Sequence, residues 1–313
     1  MRKAMLRFGG LVIVGLLVVA MIPSFSSVAF SDSKPTVVTT IYPLYEFARQ
    51  VFGQRAEVVL LTPPGVEPHD WEPGPADLVK VKKAKLFIYN GAGMEPWVES
   101  IKNTVLAGKN VVNVSQAVTL IAAAEEDEDH EEDGHGHSHG HLDPHIWLDP
   151  VNAQDIVGRI AQAAKEIDPA NATRYEANAQ SYIAQLAALH AEYIAVFNQV
   201  SRRELITTHA AFGYLAKRYG LVQEAIMGLE PDAEPSPEKM TQIIRHIKAH
   251  NIKYIFAETL LSPKLAQTIA SETGVRVLVL NPLEGLTDQE VAQGKNYLSV
   301  MRENLSQLKQ ALQ

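Results

Sequence analysis

The sequence predicts an α/β fold of two lobes, each a mostly parallel sheet flanked by helices, the two joined by one long rigid helix. Three observations carry this. β-branched runs of four to six residues alternate with amphipathic stretches, the pattern of parallel strands with crossover helices, and they do so in two separate series. Between the series, from Asn171 to about Val200, no Pro or Gly interrupts a helical periodicity. The chain's 313 residues exceed what one small core organises and suit two lobes of roughly 130 residues each.

In the first series, Thr36–Thr40 reads as a strand, Leu44–Phe52 as a helix and Ala56–Leu61 as a strand. Ala76–Lys83 follows as a helix, Leu86–Tyr89 as a strand, Pro96–Thr104 as a helix and Val111–Val114 as a strand. In the middle, Tyr182, Leu186, Leu189, Tyr193 and Phe197 recur at helical spacing, which predicts a rod of roughly 45 Å and a stiff connection between lobes. The second series runs Leu205–Thr208 (strand), Ala211–Tyr219 (helix closed by Gly220), Val222–Ile226 (strand) and Pro237–His250 (helix). It ends with Tyr254–Ala257 (strand), Pro263–Thr273 (helix stopped by Gly274), Val275–Leu280 (strand) and an amphipathic helix over Asn296–Leu312. Pro237 and Pro263 stand where proline is tolerated, at helix starts. The expected boundaries are a signal peptide over 1–29, a first lobe over 30–168, the linking helix over 169–200 and a second lobe over 201–313.

The first 29 residues have the three parts of a secretory signal: Arg2, Lys3 and Arg7, an apolar run from Leu11 to Ile22, and the small-residue site Ser27-Val28-Ala29. That apolar run is short for a membrane span of about 20 residues. The sequence contains no cysteine, so an exported chain of this kind has no disulfides and no lipobox cysteine; a soluble periplasmic protein is the expectation. Net charge is -8, and residues 125–141 alone hold eight carboxylates with no Lys or Arg, leaving the remainder near neutral. No basic stripe invites nucleic acid, and no G-x-x-x-x-G-K-[ST] motif binds nucleotide.

Two populations of histidine carry the chemistry. His130, His135, His137, His139 and His141 lie in the acidic segment among Gly134, Gly136, Ser138 and Gly140. Such a segment cannot bury a core, so a surface loop with weak, exchangeable affinity for divalent transition metals is expected. His130-Glu131 followed by His135 gives the wrong spacing for a zinc protease, which needs H-E-x-x-H on one helix face. The second population is placed by the fold: His69 follows a strand in a Pro-rich turn, His209 directly follows Leu205–Thr208, and Glu284 lies just beyond Val275–Leu280. All three fall beyond carboxyl ends of strands, where open α/β sheets bind ligands. His145 lies where the His-rich loop rejoins the structure.

The segments Thr39-Thr40-Ile41-Tyr42-Pro43-Leu44, Glu67-Pro68-His69-Asp70-Trp71-Glu72-Pro73, Asp143-Pro144-His145-Ile146-Trp147-Leu148, Thr208-His209-Ala210-Ala211-Phe212-Gly213-Tyr214 and Phe256-Ala257-Glu258 resemble the metal-receptor family of bacterial zinc and manganese ABC importers, the cluster A-I or cluster 9 solute-binding proteins. The resemblance runs over nearly the whole mature chain. It implies one metal in the interlobe cleft, with His69 and His145 from the first lobe and His209 and a carboxylate from the second. Manganese receptors of the family tend to have Glu where His209 stands and Asp where Asn281 stands; this sequence has neither. Glu284, in Asn281-Pro282-Leu283-Glu284, matches the carboxylate of a subgroup of zinc receptors, with water or Glu67 as the alternatives for the fourth place. Three imidazoles and one carboxylate suit tetrahedral Zn²⁺, whereas Mn²⁺ favours more oxygen ligands. The implied protein is a monomeric receptor that carries Zn²⁺ as its transported ligand to an ABC permease and catalyses nothing. The competing readings are a manganese or broader divalent-metal receptor, a surface adhesin or metal buffer, and an exported zinc hydrolase. The hydrolase would need an open metal position and a base such as Asp70 or Glu67.

Overall fold

The computed structural model describes residues 34–122, 142–229, 231 and 235–313; the expected signal peptide and the five histidines of the acidic loop lie outside the described residues. The chain opens with β1 (Thr36–Thr39), α1 (Tyr42–Phe52), β2 (Glu57–Leu60), α2 (Pro75–Lys83), β3 (Leu86–Tyr89), α3 (Trp97–Ile101) and β4 (Asn110–Asn113). Two long helices follow, α4 (Pro150–Ile167) and α5 (Ala172–Phe197). The second series is β5 (Glu204–Thr207), α6 (Gly213–Tyr219), β6 (Val222–Ala225), α7 (Pro237–Ala249), β7 (Tyr254–Ala257), α8 (Lys264–Thr273), β8 (Arg276–Val279), α9 (Asp288–Ala292) and α10 (Tyr297–Leu312).

The strands form two four-stranded sheets of the same topology, ordered β2-β1-β3-β4 and β6-β5-β7-β8. Every pairing in both is parallel, with registers such as Val37↔Val58, Phe87↔Val111 and Ile255↔Val277. The winding direction reverses between β1 and β3 and between β5 and β7, so each sheet opens a crevice at its carboxyl edge there. Side chains alternate across each sheet as the two-residue period of a strand requires. Val37, Leu86 and Ile88 enter the central core, while Val38 and Phe87 join Trp97 and Val98 in an outer cluster. Likewise Leu205 enters the central core and Ile206 joins Ile243, Ile255 and Ile269 outside.

The linking helix α5 is 26 residues long, about 39 Å, slightly shorter than expected. It buries Tyr175, Tyr182, Leu186, Leu189, Tyr193 and Phe197. It is tied to both sides: Asn178 Nδ2 donates to Val51 O of α1 at 2.9 Å, and Tyr193 OH donates to Met301 O of α10 at 2.7 Å. The central core is accordingly continuous from Val37 to Leu205 and Tyr297, and the rings of Phe47 and Tyr297 meet edge-on at 4.9 Å. The helix α4, which sequence periodicity did not reveal, packs beside α5. Its buried face includes Ala153, Ala161, Ala163 and Ala164, small residues that permit close approach but give a weak hydrophobic signal. Asp149 starts it, accepting a hydrogen bond from Val151 N at 2.9 Å, with Pro150 in the first turn. Among the described residues, no helix is long and apolar enough to cross a membrane.

Candidate metal centre

His69, His145, His209 and Glu284, separated by as many as 215 positions in sequence, converge at one point. Their side chains are closed off from solvent, that of His69 being 5% exposed and those of the other three 0%. His69 comes from the loop after β2, His145 from the segment after β4, His209 from the loop after β5 and Glu284 from the loop after β8. All four elements deliver residues from the carboxyl ends of parallel strands, which is why the sequence position of those ends predicted three of them.

Each loop is locked in its own way. Asp143 Oδ1 accepts from both His145 N (2.9 Å) and His145 Nδ1 (2.8 Å), tying the ring to its own backbone through one carboxylate. Gly213 lets that carboxylate approach: a β-carbon there would meet Asp143 Oδ2 at 2.5 Å. His209 Nδ1 stands 2.6 Å from Glu258 Oε2, while Glu258 Oε1 accepts from the Thr208 hydroxyl and from His209 N at 3.1 Å. Glu258 follows β7, the strand paired with β5, so the parallel pairing sets base and partner side by side. Asn281 does not join the cluster. Its side chain organises the turn that presents Glu284, accepting from Leu283 N at 2.7 Å and donating to Glu290 Oε1 at 3.0 Å. Leu283 takes a left-handed backbone (φ 59°), unusual for a branched side chain. That turn is tied to the other loops. Trp147 Nε1 donates to Pro282 O at 2.8 Å, Tyr297 OH donates to Trp147 O at 2.6 Å, and Gly65 N donates to Leu286 O at 2.9 Å.

The donor atoms are spaced for an ion rather than for one another. Nε2 of His145 lies 2.9 Å from Glu284 Oε1, 3.2 Å from Nε2 of His69 and 3.4 Å from Nε2 of His209. Glu284 Oε1 is 3.3 Å from each of the other two imidazoles. A tetrahedral ion with bonds of about 2.0–2.1 Å sets donor–donor edges of about 3.3–3.4 Å, which these distances approximate. With Nδ1 of His145 and His209 turned to carboxylates, their Nε2 lone pairs face the centre, the arrangement that metal-binding imidazoles adopt. Glu284 Oε2 is buried without a hydrogen-bond partner, a further acceptor open to a cation.

Electrostatics point the same way. Burial alone would lower the His209 pKa, but the charges of Glu258 and Glu284 outweigh it and hold the imidazole well above its ordinary value. His145 is raised likewise: burial is outweighed by its hydrogen bonds to Asp143 and Glu284. Burial would raise Glu284, yet His209 and the hydrogen bonds from His145, His209 and His69 keep it well below the usual carboxylate range. The cluster therefore concentrates anionic charge that draws a cation, whether protons or a metal. Glu67, the weaker sequence-based alternative for the fourth place, is not among the four. One of its oxygens accepts from His69 N at 3.3 Å, and burial, reinforced by Glu284, pushes it up to about 8.

The roles of Asp143 and Glu258 were not foreseen from sequence. Both stand in quoted segments, Asp143 two residues before His145 and Glu258 directly after the strand that neighbours His209's own, but neither position alone distinguishes an orienting carboxylate from a ligand. The loop histidines 130, 135, 137, 139 and 141 lie outside the described residues; the flanking chain is pinned by an antiparallel bridge between Ala122 and Leu142, just ahead of Asp143.

The profile of a family described as "ZnuA: Zinc-uptake complex component A periplasmic" matches residues 37–311. The chain is 44% identical over 312 residues to the high-affinity zinc uptake system protein ZnuA of Bacillus subtilis (strain 168), covering 98% of both. It is 39% identical over 281 residues to the zinc-binding lipoprotein AdcA of Streptococcus pneumoniae serotype 4, covering 90% of this chain but 56% of AdcA. Among solved structures, the Zn(II)-bound ZnuA-like domain of Streptococcus pneumoniae AdcA superposes with a TM-score of 0.76 at 38% identity, over 89% of this chain and 99% of that domain. The laminin-binding protein Lmb of Streptococcus agalactiae, described as having adhesin and metal-transporting activity, matches with a TM-score of 0.78 at 33% identity, over 89% of this chain and all (100%) of Lmb. By sequence across nearly its whole length and by fold, the chain belongs to the ZnuA family of periplasmic zinc-uptake components.

Proposed function

We propose that His69, His145, His209 and Glu284 bind one Zn²⁺ as cargo, and that the protein is an exported zinc receptor which hands the ion to the permease of an ABC importer. The observation that supports this best is the closed His₃Glu cluster with donor separations near those of tetrahedral zinc. Three nitrogen donors and one carboxylate favour Zn²⁺ over Mn²⁺, whose harder chemistry prefers more oxygen. The same four donors leave no coordination position for an attacking water, which argues for a carrier and against a hydrolase. We assign the lobes to 30–168 and 201–313 with α5 between them, the cation held where loops from both sheets meet. The signal-like start supports export to the periplasm. The His-rich, acidic composition of segment 125–141 suits it to gathering divalent ions at low affinity.

Zinc uptake by cells lacking the gene tests the reading. Restoring wild-type protein should restore growth under zinc chelation and ⁶⁵Zn accumulation, and restoring His209→Ala should not. Normal zinc accumulation in the deletion strain would favour the adhesin or buffer reading instead.

A further inference from the structure

A second group of metal-ligating side chains lies at the opposite edge of the β5–β8 sheet. His246 and His250 are four residues apart at the end of α7 and its cap, so their imidazoles share one face, with ring centroids 4.1 Å apart. Ile243 and Ile247 pack α7 onto the outer face of the sheet, which carries this His pair to Glu204, the first residue of β5. His246 Nε2 stands 3.7 Å from Glu204 Oε1, too far for a hydrogen bond, and is buried without any hydrogen-bond partner. One donor atom from each of the three lies within 4.8 Å of the others. A tetrahedral ion needs edges of about 3.3–3.4 Å, so the Glu204–His246 pair is close to that geometry, and a donor atom of the exposed His250 lies within 4.8 Å of both.

Neighbouring cations do not occupy the place. Arg202 Nη1 donates to Asn251 O at 2.9 Å, Arg203 Nη2 to Phe197 O at 2.8 Å, and Lys253 Nζ to Asn251 Oδ1. Their charge nevertheless weakens any metal bound there relative to the anionic centre at His209. Glu204 and His209 are at opposite ends of the same strand direction, about 16 Å apart along it, so the two groups are distinct.

We propose that Glu204, His246 and His250 form a second, open three-donor site for a borderline divalent transition-metal ion such as Zn²⁺, Cu²⁺ or Ni²⁺. Its remaining coordination positions face solvent, so the ion exchanges freely and the affinity is below that of the four-donor centre. The test uses the full mature chain already loaded with one equivalent of zinc. Further zinc is added while histidine ring resonances are followed by ¹H–¹⁵N NMR, with His246 and His250 assigned through His246→Asn and His250→Asn. The two should shift together, His190 should not move, and Glu204→Gln should raise the half-saturating zinc concentration by at least about tenfold. If His246 and His250 stay fixed while other histidines respond, or shift independently of each other and of Glu204→Gln, the site does not exist.

Discussion

Replacing Glu258 by Gln should damage the zinc centre more than its conservative size suggests. Glu258 accepts from the Thr208 hydroxyl and His209 N on one oxygen, and its other oxygen stands 2.6 Å from His209 Nδ1 as an ion-pair contact. A glutamine offers one acceptor and one donor group, so whichever way the amide turns, its NH₂ faces a donor. If it faces His209 Nδ1, the ring must shift its proton to Nε2 and lose the lone pair aimed at the metal. If it faces His209 N, a buried backbone N–H is stranded, at a cost of about 1–3 kcal/mol. Loss of a carboxylate behind a metal-bound imidazole typically costs 10–100-fold in affinity, about 1.4–2.7 kcal/mol. Glu258→Gln should fall near the upper end of that range, while Glu258→Ala, whose space water can fill, should fall near the lower end. Competition against a chromophoric chelator at pH 7.5 measures both, with far-ultraviolet circular dichroism as the check on folding. Glu258→Gln within threefold of wild type, with the fold intact, would refute the orienting role.

Gly213→Ala should act through Asp143: the added methyl displaces the carboxylate that holds His145, and zinc affinity should drop about 10–100-fold with a smaller loss of stability. Calorimetry in buffers of different ionisation enthalpy would detect proton release on zinc binding. Because His145 and His209 are held above the ordinary imidazole value, the metal-free cluster keeps protons to higher pH than free imidazole and zinc must expel them; affinity should fall on acidification from above the ordinary imidazole range, and proton release should vanish at alkaline pH. The stability of metal-free protein follows the same groups: the imidazole contribution is full below about pH 6.5 and lost as pH rises through the raised values, whereas that of Glu284 is lost as pH falls through its depressed one. Phe47→Ala should cost about 3–5 kcal/mol in urea unfolding and keep a single transition, since Phe47 and Tyr297 belong to one continuous core. Two separated transitions would show that the lobes unfold independently.

Much of the fold was legible because parallel strands write themselves as short β-branched runs. Leu86–Tyr89 and Tyr254–Ala257 end where the sequence places them, and the other strands differ by a residue or two at their ends. The helix α4 was not legible, since its alanine-rich face lacks the bulky periodicity that marked α5. The convergence of His69, His209 and Glu284 was legible for a topological reason, namely that the carboxyl edge of a parallel sheet gathers whatever follows its strands, whereas His145 was pointed to by its resemblance segment. Glu284 depended on the turn made by Asn281 and Leu283, a left-handed conformation that no local rule assigns to leucine. Asp143 and Glu258 could not be separated from ligands by sequence, because their role is fixed by which nitrogen of each imidazole they face.

The most direct test of the central claim is zinc stoichiometry and affinity, by chelator competition, in mature protein with and without residues 125–141. Both forms should hold one zinc tightly, weakened greatly by His209→Ala and clearly by Glu284→Ala. Tight zinc in the intact protein alone, absent once 125–141 is removed and indifferent to His209→Ala, would place the ion in the His-rich segment and contradict the four-ligand centre.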